Sequence, residues 1–198
     1  GRHPDRDLER VESVREEIGD EVDLMVDGNG AWSTKPALAY ARRFADRGVV
    51  WFEEPVSSNN LRSLRQIARR APAPLEVAAG EYGWTPEYFH RMLEADAVDC
   101  LQAYATRCLG ITGFLQAADL CDARDMPFSS HTAPTLHLHA CCAAPSFRHL
   151  EYFYDHVRIE QRFVEGAPEA DDGQLVPDWS RPGLGIAPKY SDLDDYRV

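Results

Sequence analysis

The stretch Trp51-Phe52-Glu53-Glu54-Pro55 decides the fold. It ends a short β-forming run that begins at Gly48. Because Pro55 has no backbone N–H for continued pairing, the strand is expected to stop there. Successive side chains of a strand point to opposite faces, so Glu53 and Glu54 cannot both face one site. Glu53 is therefore the functional candidate, and Glu54 is expected to have a local role.

Acids also follow two other apolar runs, at nearly the same interval. The run 24–26 leads to Asp27 and the run 75–80 leads to Glu81, so the intervals are 53−27=26 and 81−53=28 residues. A strand, a helix and two short loops need about that much chain. Three acids at equivalent ends of parallel strands would converge on one point, which suits a divalent cation. The alternative is that each acid caps the helix that follows it. The nearly equal spacing of the three acids, each after a strand, argues against this alternative.

Strands and helices are predicted to alternate along most of the chain. Strands are expected near 22–26, 49–53, 75–79, 98–103, 127–130 and 149–152. Helices are expected near 5–18, 35–47, 60–70, 86–95, 113–124 and 134–144. This alternation predicts an α/β protein with a parallel sheet. Polar residues at one strand end after another favour a (β/α)8 barrel over an open doubly wound sheet, whose site gathers at one switch point.

Composition excludes several classes of protein. The net charge of 21−33 = −12 argues against a nucleic-acid partner. No apolar run approaches the ~20 residues that cross a membrane. The five cysteines lack C-x-x-C spacing, which indicates reduced thiols of a cytoplasmic protein rather than a disulfide framework or a zinc site. His137 and His139 stand two apart on a predicted helix, on different faces, and are interpreted as packing or surface residues.

Several motifs together resemble the barrel domain of the enolase superfamily, closest to its mandelate racemase group, which includes acid-sugar dehydratases. The motifs are VDGNGAW (26–32), WFEEP (51–55), AAGE (78–81), LQAYATRCLGITG (101–113), SSHTAP (129–134), LEY (150–152) and RPGLGI (181–186). The resemblance implies a TIM-type barrel of the modified (β/α)7β form. A complete barrel has about 250 residues, so the barrel is expected to be incomplete here, with its first strands and a capping domain before Gly1.

The resemblance also implies a division of the chain. Residues 1–165 are expected to form the partial TIM-type barrel domain. Residues 166–198 are expected to form an extended C-terminal tail that packs toward the absent capping domain.

The resemblance implies roles for five site residues. Asp27, Glu53 and Glu81 are implied to bind Mg²⁺, a hard cation that prefers oxygen ligands. The metal would hold the carboxylate of a 2-hydroxy acid and stabilise the enediolate formed when the α-proton leaves. His131 is the implied general base. Glu151 is implied to hydrogen-bond the substrate carboxylate, which it could do as a donor only if its pKa is raised.

Three further residues are expected close to the substrate or in the next layer: Asn29, Tyr104 and Arg107. Asn29 is implied to touch the substrate hydroxyl. Tyr104 stands where the family has an Asp that pairs with the histidine base, and a phenol brings no charge at pH 7. Its oxygen could accept the far N–H of His131 and so keep the tautomer, without offsetting the charge of the imidazolium.

The implied function is Mg²⁺-dependent removal of the α-proton of a 2-hydroxy carboxylate, with dehydration of an acid sugar as the expected lyase reaction. One alternative is a racemase or epimerase of a 2-hydroxy acid, which is an isomerase. Another is a metal-binding family member whose catalysis Tyr104 impairs. A metal-dependent hydrolase fits less well, because no histidine accompanies the acids at the strand ends. The expected partner is a small hydroxy acid or acid sugar, without nucleic acid or membrane, and the full-length protein is expected to be a homo-oligomer.

Overall fold

The structure is a computed structural model that describes residues 4–196, and it consists of two compact units. The first unit holds residues 4–82 and 87–102, and the second holds residues 83–86 and 103–196. None of the helices within residues 4–196 is long and apolar enough to span a bilayer. All five cysteines are free thiols, as predicted.

The first unit alternates helices with the strands of a parallel sheet. After a 3-10 turn, Pro4–Arg6, its elements are α1 (Asp7–Ile18), β1 (Leu24–Asp27), α2 (Thr34–Ala45), β2 (Val49–Glu53), α3 (Leu61–Ala68), β3 (Glu76–Ala79), α4 (Pro86–Glu94) and β4 (Cys100–Ala103). The strands lie side by side in chain order. Asp27 of β1 is in register with Glu53 of β2, so both acids end their strands at the same level.

An aromatic cluster fastens α2 to this sheet. The helix buries Ala37, Ala41 and Phe44, which are spaced along one face. Phe44 packs edge to face on the fully buried Phe52 of β2, with ring centroids 5.2 Å apart. Trp32, in the loop after β1, contacts Phe52 at 5.6 Å. The residues just before Glu53 are therefore held in a packed core, which gives the end of β2 a fixed position.

The second unit continues the alternation. Its elements are α5 (Gly110–Asp122), β5 (Phe128–Ser130), α6 (Pro134–Ala143), β6 (Phe147–Leu150), α7 (Tyr154–Phe163), β7 (Val164–Glu165), β8 (Ala187–Pro188) and α8 (Tyr190–Leu193), followed by the 3-10 turn Asp194–Tyr196. β5 and β6 pair in parallel, whereas β7 and β8 form a short antiparallel pair. The N–H of His131 donates to the carbonyl of Ala103 at 3.0 Å, so the chain leaving β5 lies beside the end of β4.

The core of the second unit lies between α5, β5 and α6. Phe114 packs against Phe128 with ring centroids 4.9 Å apart and against His137 at 5.0 Å, and all three side chains are fully buried. His137 is thus a core residue of α6, as interpreted from the sequence. This packing places the imidazole of His137 next to the loops that follow β4 and β5.

The six predicted parallel strands are confirmed within residues 4–196, with bounds that differ from the predicted ones by up to two residues. The last strand is Phe147–Leu150, two residues earlier than predicted, so Glu151 follows the strand instead of lying within it. The helix α7 was not predicted. Packing of residues 166–198 toward a capping domain stays a prediction.

Candidate functional site

Two buried carboxylates stand at the strand ends of the first unit. Glu53 is 7% exposed and Glu81 is 6% exposed, and an oxygen of one lies within 4.8 Å of an oxygen of the other. The indole N–H of Trp51 donates to Glu53 at 3.2 Å. Two ionised carboxylates this close and this buried repel each other unless positive charge is supplied. A divalent cation with oxygen ligands fits this pair.

Glu81 owes its position to the glycine before it. Gly80 has φ +141°, and a Cβ built there would lie 2.1 Å from the backbone oxygen of Gln102. Only glycine tolerates both this backbone conformation and the close approach to β4. The chain can therefore turn at the end of β3 and direct Glu81 to the same edge of the sheet as Glu53.

Backbone hydrogen bonds fix the end of β2. The carbonyl of Glu53 accepts from the N–H of Gly28 at 2.8 Å, and the N–H of Glu54 donates to Ala78 at 2.9 Å. Glu54 has φ +34° and a buried side chain. The extended conformation of the strand therefore ends between Glu53 and Glu54. The local role expected of Glu54 stays a prediction.

Asp27 is placed differently from the other two acids. Its carboxylate is exposed and accepts hydrogen bonds from the backbone N–H of Asn29, at 2.8 Å, and from the Asn29 side-chain amide. In the part of the chain that the structure describes, no Asp27 oxygen lies within 4.8 Å of both a Glu53 oxygen and a Glu81 oxygen. The structure thus brings Asp27 together with Asn29, and the role of Asp27 as a third ligand stays a prediction.

In the second unit, His131 and Glu151 lie in contact. Nδ1 of His131 is 3.1 Å from a carboxylate oxygen of Glu151, with side chains 19% and 34% exposed. The same oxygen accepts the backbone N–H of Thr132 at 2.7 Å. Burial alone would raise the pKa of Glu151, but the His131 imidazole and the Thr132 N–H outweigh it and hold the pKa below its usual value. The ionised form of Glu151 is therefore favoured, and the role expected of Glu151 toward the substrate carboxylate stays a prediction.

Tyr104 contacts His131 through its ring. The ring centroids are 5.3 Å apart and the planes are nearly perpendicular. Among the described residues the Tyr104 hydroxyl makes no hydrogen bond, so the phenol oxygen does not hold the far N–H of His131. The guanidinium carbon of the exposed Arg107 lies 5.7 Å from the centre of the Tyr104 ring. Tyr104 and Arg107 are thus brought together beside His131, whereas a role toward substrate stays a prediction for both.

His137 joins the loops after β4 and β5. Its Nδ1 lies 2.9 Å from the carbonyl of Thr132 and 3.0 Å from that of Ala133, and its Nε2 lies 2.9 Å from the N–H of Ala105. Nε2 accepts the N–H of Ala105 and therefore carries no proton. The ring proton is on Nδ1, which donates it to the two carbonyl oxygens. Burial lowers the pKa of His137, although its bonds to the two carbonyls oppose this. A neutral, fixed imidazole therefore ties the Tyr104 loop to the His131 loop.

Side chains from α7 also bind the backbone of this loop. Thr132 and Ala133 both have positive φ, at 44° and 41°, which is strained for residues with a Cβ. The N–H of Ala133 donates to Nδ1 of His156 at 3.3 Å, and that of Thr135 donates to Glu160 at 3.2 Å. The sequence analysis missed these residues. A Thr-Ala-Pro helix start without a capping side chain was the available signal, since its N–H groups need partners from elsewhere.

The profile of the family described as Enolase C-terminal domain-like matches residues 1–192. The chain belongs to this family. The fold class is accordingly α/β, an incomplete part of the TIM-type barrel of this family, as predicted from the sequence. L-talarate/galactarate dehydratase of Salmonella typhimurium is 32% identical over 182 residues, which is 91% of this chain and 44% of that protein.

Solved structures of the family agree with this assignment. A mandelate racemase/muconate lactonizing enzyme-like protein from Rubrobacter xylanophilus is 47% identical with a TM-score of 0.96, covering 100% of this chain and 55% of that one. An enolase from Bradyrhizobium complexed with magnesium and mandelic acid is 28% identical with a TM-score of 0.88, covering 97% and 52%. The chain therefore spans about half the length of the proteins it matches.

Several relatives are named for an enzymatic activity. They include dehydratases, cycloisomerases and an epimerase. Other solved members hold magnesium, in one case with L-glucarate. The buried acids of the first unit offer carboxylate oxygens, the ligand type that magnesium prefers.

Proposed function

We propose that the intact protein removes the α-proton of a 2-hydroxy carboxylate with Mg²⁺ and thereby dehydrates an acid sugar. The observation that carries the proposal is the pair Glu53 and Glu81, two buried carboxylates within 4.8 Å at the ends of adjacent strands. Family membership supports the choice of reaction, because several relatives are named acid-sugar dehydratases.

Asp27, Glu53 and Glu81 are the residues proposed to hold Mg²⁺. When bound, the ion supplies positive charge that stabilises the negative charge developing on the substrate carboxylate. The Asp27 carboxylate accepts two hydrogen bonds from Asn29 and keeps further lone pairs that can bind the ion. Asn29 is proposed to hydrogen-bond a substrate hydroxyl.

His131 is the proposed general base. With Nδ1 against Glu151, the other ring nitrogen, Nε2, is the one that takes the α-proton. In dehydration the hydroxyl on the neighbouring carbon then leaves, and the proton gained by Nε2 can pass to it, so that water departs. The remaining enol becomes a 2-keto-3-deoxy acid when its C3 takes a proton from solvent and its hydroxyl releases one. Tyr104 and Arg107, beside His131, are proposed to shape the substrate pocket.

A racemase or epimerase of a 2-hydroxy acid is the second candidate. It needs the same proton removal, but the proton returns to carbon and no hydroxyl leaves. The family structure with magnesium and mandelic acid favours it, since mandelic acid has no hydroxyl to eliminate on the neighbouring carbon. The homo-oligomeric state of the intact protein stays a prediction.

Turnover of a substrate library tests the proposal. The intact protein with Mg²⁺ is incubated with acid sugars and with single enantiomers of simple hydroxy acids. Formation of a 2-keto-3-deoxy acid supports dehydration, and loss of optical rotation without such a product supports the isomerase. If neither a 2-keto-3-deoxy acid nor a loss of optical rotation is observed while Mg²⁺ is bound, the protein binds metal without this activity and the proposed enzymatic function is refuted.

Calorimetry with Mg²⁺ tests the ligands separately. Glu53→Gln and Glu81→Gln should each abolish measurable binding, because either change removes a charged oxygen ligand. Glu54→Gln makes the same change one residue further along and should leave binding intact. Unchanged affinity in Glu53→Gln or Glu81→Gln would remove that residue from the proposed site.

A further inference from the structure

A carboxylate that binds a metal ion is usually hydrogen-bonded in turn by the surrounding protein, which orients it. Glu53, one of the two buried acids of the first unit, has such a donor. The indole Nε1–H of Trp51 donates to Oε2 of Glu53 at 3.2 Å. Trp51 is therefore a candidate for a role at this site that the sequence motifs do not assign to it.

The strand β2 places the two side chains together. Trp51 and Glu53 are two residues apart, so both side chains leave the same face of the strand. Glu53 is the last residue of β2. The indole therefore belongs to the layer of side chains next to the carboxylate, one step back from the strand end.

Burial and small neighbours fix the indole ring. Trp51 is 3% exposed and packs against Ala78 and Cys100. Ala78 of β3 is in register with Glu53, and Cys100 of β4 is in register with Ala78. Small side chains at these two positions leave room for a large ring on this face of the sheet. Because a closely packed ring keeps few rotamers, its N–H points in one direction.

The hydrogen bond orients Glu53 and favours its charged form. Glu53 and Glu81 are both buried and have oxygens within 4.8 Å of each other, so their negative charges repel without a cation. A hydrogen bond to an ionised acceptor is stronger than one between neutral groups and favours the ionised form. The bond uses one oxygen, and a carboxylate offers about four lone-pair sites. Glu53 can therefore accept the indole N–H and bind a cation at the same time.

We infer that Trp51 is a positioning residue of the proposed Mg²⁺ site: its indole N–H holds the Glu53 carboxylate ionised and oriented before the ion arrives. The inference rests on the proposed function, because it requires Mg²⁺ to bind at Glu53 and Glu81. Trp51 is not itself a ligand, since an indole N–H is only a donor. It acts on affinity, because a ligand that is already oriented loses less freedom when the ion binds.

Calorimetry of the intact protein with Mg²⁺ tests the inference. Trp51→Phe keeps an aromatic ring in the core and removes the N–H. It should bind Mg²⁺ about 10–100-fold more weakly, the typical cost of removing a partner that orients a metal ligand. Ile67→Val is the control for lost packing, because Ile67 is fully buried in α3 of the same unit. The control should keep the affinity of the wild type.

NMR of the wild type gives a second measurement, which does not depend on how well Trp51→Phe folds. Among the indole N–H signals of the four tryptophans, that of Trp51 is identified by nuclear Overhauser contacts of its ring with the Ala78 methyl group. Added Mg²⁺ should shift this signal with the dissociation constant found by calorimetry, because the ion draws charge from the acceptor oxygen. Glu53→Gln should move it upfield without metal, since the acceptor loses its charge. The signal of the exposed Trp179 should respond to neither change.

The possible results separate this inference from the proposed function. Equal affinities of Trp51→Phe and the wild type would overturn the inference and leave the proposed function standing. Equal losses in Trp51→Phe and Ile67→Val would reduce the role of Trp51 to core packing, and so would a Trp51 signal that responds neither to Mg²⁺ nor to Glu53→Gln. Absence of Mg²⁺ binding in the wild type would refute the proposed metal site itself, and the inference with it.

Discussion

Replacing Gly80 with alanine should damage the fold and the metal site together. The new Cβ would lie 2.1 Å from the backbone oxygen of Gln102 and also 3.0 Å from its backbone carbon and nitrogen. All three atoms belong to β4 in the sheet, so no flexible side chain can yield. The chain must shift at the end of β3, immediately before Glu81.

The magnitude has two parts. Overpacking of a well-packed core costs about 1–3 kcal/mol, and holding a residue with a Cβ at φ +141° costs roughly another 1–3 kcal/mol. Gly80→Ala should therefore lower the free energy of unfolding by about 2–6 kcal/mol. Because Glu81 moves with the backbone, Mg²⁺ affinity should fall as well.

Denaturant unfolding of the intact protein measures the first effect, and calorimetry with Mg²⁺ measures the second. Gly19→Ala is the control, since Gly19 also has positive φ, at 74°, but a Cβ there meets nothing within 4 Å. The control should lose only about 1–2 kcal/mol and keep its affinity for Mg²⁺. Equal losses in the two variants would refute the argument that contact with β4 makes Gly80 necessary.

Two further predictions follow from buried groups of the second unit. Because burial lowers the pKa of His137 below 6.5, the unfolded chain takes up a proton before the folded one as pH falls through 6.5. The free energy of unfolding should then decrease by up to about 1.4 kcal/mol per pH unit. His137→Gln should flatten this dependence, and an unchanged slope would contradict the prediction. Burial also raises the pKa of Cys108 to about 11 and of Cys141 to about 12. Iodoacetamide at pH 8 should therefore alkylate the exposed Cys142 first, which mass spectrometry of the peptides would show. Labelling of Cys141 as early as Cys142 would contradict this prediction.

Much of the fold could be predicted because its signals are local. The apolar runs before Asp27, Glu53 and Glu81 are short, bounded by acids or proline, and separated by enough chain for one helix each. The helix α7 gave no such signal. Val157 is its only buried residue, so its sequence carries few of the apolar residues that mark a helix packed on a core.

The candidate site was predictable as a set of residues but not as a set of contacts. Strand-end spacing places Glu53 and Glu81 at one edge, and the structure shows them within 4.8 Å. The same spacing cannot say which neighbour of His131 reaches its ring nitrogen, since that depends on the turn at Thr132. Nor could it show that the buried His137 supports this turn, because a histidine on an apolar helix face is equally typical of ordinary packing.

Exchange of the α-proton tests the proposed chemistry most directly. The intact, Mg²⁺-loaded protein is incubated in D₂O with the hydroxy acids and acid sugars of the library, and deuterium at the α-carbon is followed by NMR. We expect incorporation into at least one 2-hydroxy carboxylate or its product, with a loss of 10²-fold or more in His131→Asn, consistent with removal of a general base. Undiminished exchange in His131→Asn, or no exchange from any substrate while Mg²⁺ is bound, would contradict α-proton abstraction by this site.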